Sequence, residues 1–96
     1  MPTPDDSETG AVTVKTFQFQ PSPLEVSAGA KVIWTNTDSI DHTVTSGTPE
    51  KRDERFTEGL LPEKGATATV TFSEAGTYPY FCDVHESMRG EVRVAP

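Results

Sequence analysis

The sequence predicts an all-β fold, a Greek-key β-sandwich of about seven to eight short strands in one domain. Three observations carry this. Apolar and polar residues alternate with period two in several short runs, most cleanly from Ala66 to Phe72. Gly and Pro, 7 and 8 of them in 96 residues, punctuate those runs. No stretch shows the longer apolar period of an amphipathic helix. A chain of this length buries one core.

Residues 1–10, polar and acidic, read as a disordered leader, and residues 11–96 as the folded domain. In the first strand Val12 and Val14 share a face, then Phe17 and Phe19 do. The change of parity near Lys15 and Thr16 reads as a bulge. Pro21 and Pro23 end this strand or pass the chain to another edge. Leu24, Val26 and Ala28 alternate, and Gly29 turns the chain. Next comes Lys31 to Asn36, with Val32 and the single Trp34 facing the core. A turn at 36–39 leads to Ile40–Thr45, which carries His42. The charged run 47–55 reads as a solvated crossover, a loop or one helical turn. Phe56, Leu60 and Leu61 are expected to tuck it against the sandwich, and 62–65 to form a tight turn. Ala66, Ala68, Val70 and Phe72 then face inward, opposite a row of threonines. Tyr78–Cys82 and Glu91–Val94 make the last two strands.

The net charge is −7, from 15 acidic and 8 basic residues. Such a charge argues against nucleic acid and anionic membrane surfaces as partners and favours solubility or a basic partner. One cysteine allows no internal disulfide. There is no membrane-spanning run and no export signal. The expectation is that Met1 is not the native start, and that an export signal or anchor has been removed.

The chemistry concentrates between Tyr78 and Gly90. This segment holds the only cysteine, one of the two histidines and the only methionine besides Met1, spaced three apart as Cys82, His85 and Met88. The other histidine, His42, lies forty residues upstream. Taken singly, each has an ordinary explanation as core filler or surface residue. Together, one thiolate, two imidazoles and a thioether are the donor set of a type 1 copper site, with a trigonal His₂Cys plane and a weak axial Met. Soft sulfur favours Cu(I) and imidazole tolerates both oxidation states. Zinc accepts Cys and His but seldom a thioether, so it would be an impostor here. A Cys82–His85 hydrolase would need an orienting residue and an oxyanion hole, and none is marked.

The run from Ala68 through Cys82, His85, Met88 and Gly90 to Val94 resembles the blue copper proteins, or cupredoxins, most closely the amicyanin and plastocyanin group. The short Cys-x-x-His-x-x-Met loop is the amicyanin-like form, and Val32–Val44 resembles the stretch leading to the first His ligand. The resemblance implies one copper per chain on His42, Cys82, His85 and Met88, near one end of the sandwich. It implies a buried His42 and a His85 that reaches the surface as the electron port. Three departures stand out. Thr43 replaces the Asn that ties the two ligand segments together in many relatives. The loop lacks prolines, having Asp83, Val84, Glu86 and Ser87, which implies a less stiff metal-free loop. Asp83 and Glu86 beside His85 make the port partly acidic, which favours a positively charged partner.

The function implied is a soluble one-electron carrier, not an enzyme, that docks transiently on redox partners. It is expected to be monomeric, extracytoplasmic or periplasmic, and free of membrane insertion. The alternatives are a copper-delivery module without redox cycling and a detached cupredoxin domain of a larger copper enzyme. Copper enzymes of that kind need further histidines for a second copper, and this chain has two in all.

Overall fold

The computed structural model describes residues 9–56 and 59–96, and in them ten strands and no helix form two sheets. The strands are β1 (Thr9–Lys15), β2 (Gln18–Gln20), β3 (Leu24–Ser27), β4 (Ala30–Asn36), β5 (His42–Thr48), β6 (Lys51–Arg52), β7 (Gly59–Leu61), β8 (Thr67–Phe72), β9 (Gly76–Phe81) and β10 (Arg89–Ala95). One sheet runs β2-β1-β4-β8, and the other β3-β10-β9-β5-β6, with β7 also paired to β5. β1 lies parallel to β4 and β3 parallel to β10, while the other pairs are antiparallel.

Alternation fixes which residues meet between the sheets. Val12, Val14, Val32, Trp34 and Phe72 from one sheet pack with Val26, Tyr78, Tyr80, Val92 and Val94 from the other. Trp34 has no exposed surface and meets Tyr80 edge-on at 5.3 Å, with Phe56 stacked at 6.3 Å. Burying a ring of this size contributes about 5 kcal/mol, an upper figure because unfolded chains already hide part of it.

The structure corrects several expectations. β1 begins at Thr9, so Thr9 and Gly10 belong to the sheet; the rest of the acidic leader, residues 1–8, lies outside the described residues. The parity change after Lys15 is a hairpin turn, not a bulge. Thr16 and Phe17 both take left-handed backbone angles, φ 54° and 60°, and Val14 pairs with Phe19. That is the pattern of a two-residue hairpin turn, which usually selects Asn or Gly. The run 47–55 is neither a crossover nor a helical turn: β5 folds back onto β6. Its arginines cover aromatic rings, Arg52 over Phe81 at 5.6 Å and Arg55 over Tyr78 at 4.0 Å. Leu61 is fully buried, but Leu60 points outward. The three shortest strands, β2, β6 and β7, account for a strand count above the seven or eight expected.

Candidate metal centre

His42 opens β5, and the loop before it is built by side chains. Buried Asn36, the last residue of β4, donates its amide to the carbonyls of Ile40 (2.9 Å) and Leu61 (3.1 Å). Its own oxygen accepts the Asp38 N–H at 2.8 Å. Thr37 is tied to the Val14 carbonyl through its N–H and its hydroxyl. This frame presents the Asp38 carboxylate to the His42 ring, where Oδ2 lies 3.0 Å from Nε2. A carboxylate only accepts, so Nε2 carries the hydrogen. In the neutral ring that leaves the Nδ1 lone pair free. Nδ1 lies 3.6 Å from Cys82 Sγ.

The cysteine reaches that point through the sheet. β9 pairs with β5 at Phe81 and Thr45, which brings Cys82, the next residue, to the level of Val44 and its sulfur within reach of Thr43. The Thr43 N–H points at Cys82 Sγ from 3.4 Å, within range for a hydrogen bond to sulfur. Thr43 also does the joining expected of the missing Asn: its hydroxyl accepts the Asp83 N–H at 2.7 Å and shares a hydrogen bond with Thr45 at 3.1 Å. The loop after Cys82 closes on itself. The Met88 N–H donates to the His85 carbonyl at 2.9 Å, and the Cys82 N–H to the Met88 carbonyl at 3.0 Å.

His42, Cys82 and Met88 are buried, and His85 is half-buried. The two imidazoles lie with centroids 5.3 Å apart. His85 Nε2 has no exposed surface and no hydrogen-bond partner among the described residues. Among those residues no three His, Cys, Asp and Glu side chains form a ready cage; the His42–Cys82 pair is the part in place. Two donors sharing a metal at about 2.0 Å (nitrogen) and 2.3 Å (sulfur) stand about 3.5–3.8 Å apart. The observed 3.6 Å lies in that interval. A lone pair aimed at a thiol sulfur, and a buried ring nitrogen without a partner, fit a soft metal held between them.

Two residues at this site, Asp38 and Phe17, carry little or no sequence signal of a role there. Asp38 also accepts the N–H groups of Thr16 (2.8 Å) and Phe17 (3.1 Å). Partial desolvation pushes the Asp38 carboxyl up, but these two hydrogen bonds and His42 outweigh it, and its pKa lies below the ordinary value. Phe17 meets both imidazoles edge-on. An Asp four residues before His42 is a weak hint for the first. A half-exposed Phe gives none for the second. The acidic port is also modified: Asp83 is paired with Arg52, and only Glu86 stands open beside His85.

The profile of copper binding proteins of the plastocyanin/azurin family matches residues 7–95. Amicyanin-alpha of Methylorubrum extorquens is 35% identical over 85 residues, covering 86% of this chain and 69% of that one. Plastocyanin of Lactuca sativa is 32% identical over 85 residues, covering 79% of this chain and 86% of that one. The chain spans between 62% and 69% of the length of the amicyanins of Methylorubrum and Paracoccus. Among solved structures, a purple cupredoxin from Nitrosopumilus maritimus superposes with a TM-score of 0.80 at 25% identity, over 90% of this chain and 99% of that one.

Proposed function

The chain belongs to the plastocyanin/azurin family of copper binding proteins, and we propose that it is a one-electron carrier holding its type 1 copper on His42, Cys82, His85 and Met88. The observation that carries the ligand assignment is the His42–Cys82 pair: a nitrogen freed by Asp38, 3.6 Å from a buried sulfur. Copper held there would supply a one-electron Cu(I)/Cu(II) couple.

The protein residues divide the remaining work. Asp38 fixes the tautomer and orientation of His42, as outer partners of metal-bound histidines commonly do. The Thr43 N–H draws negative charge from the Cys82 sulfur, which tunes the potential. Met88, 3% exposed, would supply the thioether. Of the four, His85 alone is not fully buried, and the electron is routed through it in this reading. Both histidines of the chain are taken by this site, which leaves none for a second, catalytic copper. The protein works as a monomer outside the cytoplasm and docks transiently on redox partners. No helix of the described residues is long and apolar enough to cross a membrane.

The test is to add Cu(II) to metal-free protein and to Cys82→Ser, recording visible and EPR spectra. An intense thiolate-to-copper band with narrow hyperfine splitting, absent in the variant, supports the assignment. A weak band with an ordinary tetragonal signal overturns it. A reversible potential with fast self-exchange then separates a carrier from a copper-delivery protein, which would bind Cu(I) tightly and oxidise slowly.

A further inference from the structure

Phe17 is an apolar ring left 51% exposed at the second position of a turn that usually takes Gly or Asn. Its ring nevertheless has a defined place. It meets His42 at 5.7 Å between centroids and His85 at 5.1 Å, with interplanar angles of 89° and 88°. Its backbone is held from the far side of the turn. The two oxygens of Asp38 accept the N–H of Thr16 and the N–H of Phe17, and the second of them also faces His42 Nε2. One carboxylate therefore joins the turn to the imidazole that the turn's phenyl ring covers.

Beside Phe17 lies a cleft of about 300 Å³, also lined by Phe19, Ser87, Met88 and Arg89. It reaches from solvent to Met88, and Arg89 gives it a positive charge shared with Glu50. A small anion is the species that such a cleft would admit, and Phe17 is the lining residue that also touches the two imidazoles.

We propose that Phe17 is a shutter over the metal centre, excluding small anions from it, and that Asp38 is the positioning residue that latches the shutter. This rests on His42 and His85 being ligands. The ring offers no hydrogen bond to an incoming anion, and displacing it breaks two edge-to-face contacts. Each such contact shifts a population about two- to tenfold, so loss of both exposes the centre by about tenfold or more.

The probe is azide, titrated into the copper-loaded protein and followed by its own charge-transfer band on Cu(II). Phe17→Ala and Asp38→Ala are each expected to bind azide about tenfold more tightly than the parent. Phe17→Trp, which restores an aromatic cover, is expected to stay within about twofold of it. Unchanged azide affinity in Phe17→Ala overturns the shutter. The second arm is NMR of the metal-free protein, where the Phe17 ring current displaces the ring-proton shifts of His42 and His85. Those displacements vanish in Phe17→Ala and, if the latch is right, in Asp38→Ala as well. An Asp38→Ala protein that keeps the His85 displacement overturns the latch, whereas Asp38 acting on His42 alone moves the His42 shifts and leaves the Phe17-dependent displacement at His85. Because the NMR arm uses no copper, failure of the parent to form a type 1 spectrum condemns the ligand assignment separately from the latch.

Discussion

Thr43→Val removes one hydroxyl from a nearly buried position and leaves volume and branching unchanged. That hydroxyl accepts the Asp83 N–H at 2.7 Å and shares a hydrogen bond with Thr45 Oγ1 at 3.1 Å. Two such bonds are worth about 1 kcal/mol each, and the stranded Asp83 N–H adds roughly another 1 kcal/mol because its site is part-buried. The metal-free variant is therefore expected to lose about 2–3 kcal/mol, a fall of about 10–20 °C in melting temperature for a domain of this size. The Thr43 N–H toward Cys82 Sγ survives the substitution. The copper-loaded variant should thus keep the band position of its parent. Calorimetry on the metal-free proteins, with Thr43→Ser as the hydroxyl-bearing control, measures the first quantity, and visible spectra the second. A Thr43→Val melting point within about 2 °C of the parent would refute the reasoning, since the loop would then be held without the hydroxyl.

Three further outcomes follow from the same contacts. A Cβ on Gly90 would lie 2.6 Å from Cζ and Oη of Tyr80, whose ring is wedged between Phe19 and Trp34. Gly90→Ala is accordingly expected to cost about 1–3 kcal/mol in denaturant unfolding, and an unchanged midpoint would mean that the ring can yield. Burial pushes the Tyr80 hydroxyl up to about 12, eased by a nearby Trp34 N–H that lies outside hydrogen-bond geometry. The folded pKa is raised, so the associated stability is complete below about pH 10 and drains away as pH rises through 12, on the order of 2–3 kcal/mol in all. Tyr80→Phe should lack that alkaline component and differ from the parent by under about 1 kcal/mol at neutral pH; a matching alkaline slope in both proteins would contradict this. Arg52→Gln breaks a surface pair of which both partners are partly exposed, so stability should move by less than about 1 kcal/mol. Its effect should be kinetic: with Asp83 unmasked, oxidation by a cationic reagent should be faster at low ionic strength and converge with the parent at high salt. Equal rates at low salt would place Asp83 away from the electron port.

What could be read in the chain is what its neighbours in sequence dictate. Val12 and Val14, Val32 and Trp34, and the row ending at Phe72 alternate because each strand has one wet and one dry face. Cys82, His85 and Met88, the loop residues proposed above as copper donors, are singled out by residue type and spacing, since one loop carries all three. Thr43 was half legible: its chemistry was plain, but its partner Asp83 stands forty residues away. The Thr16-Phe17 turn was not legible at all. Neither residue favours a left-handed backbone, a conformation that costs on the order of 1–3 kcal/mol for a residue other than Gly.

The turn stands because its price is offset by a charge 21 and 22 residues further on, where Asp38 accepts both of its N–H groups. Asp38 in turn has its place because Asn36 accepts its N–H and holds the loop against Leu61. The links from Asp38 to the turn and from Asn36 to Leu61 are tertiary contacts that no local window of sequence contains, whereas the Asn36–Asp38 and Asp38–His42 links are local. The same chain of contacts ends at His42 Nε2, and hence at the nitrogen that faces Cys82. The strained turn and the oriented imidazole are therefore a single arrangement. Relaxing the turn with Gly at position 16 or 17 would ease the backbone while leaving the Asp38–His42 contact in place, whereas removing Asp38 would release both ends at once.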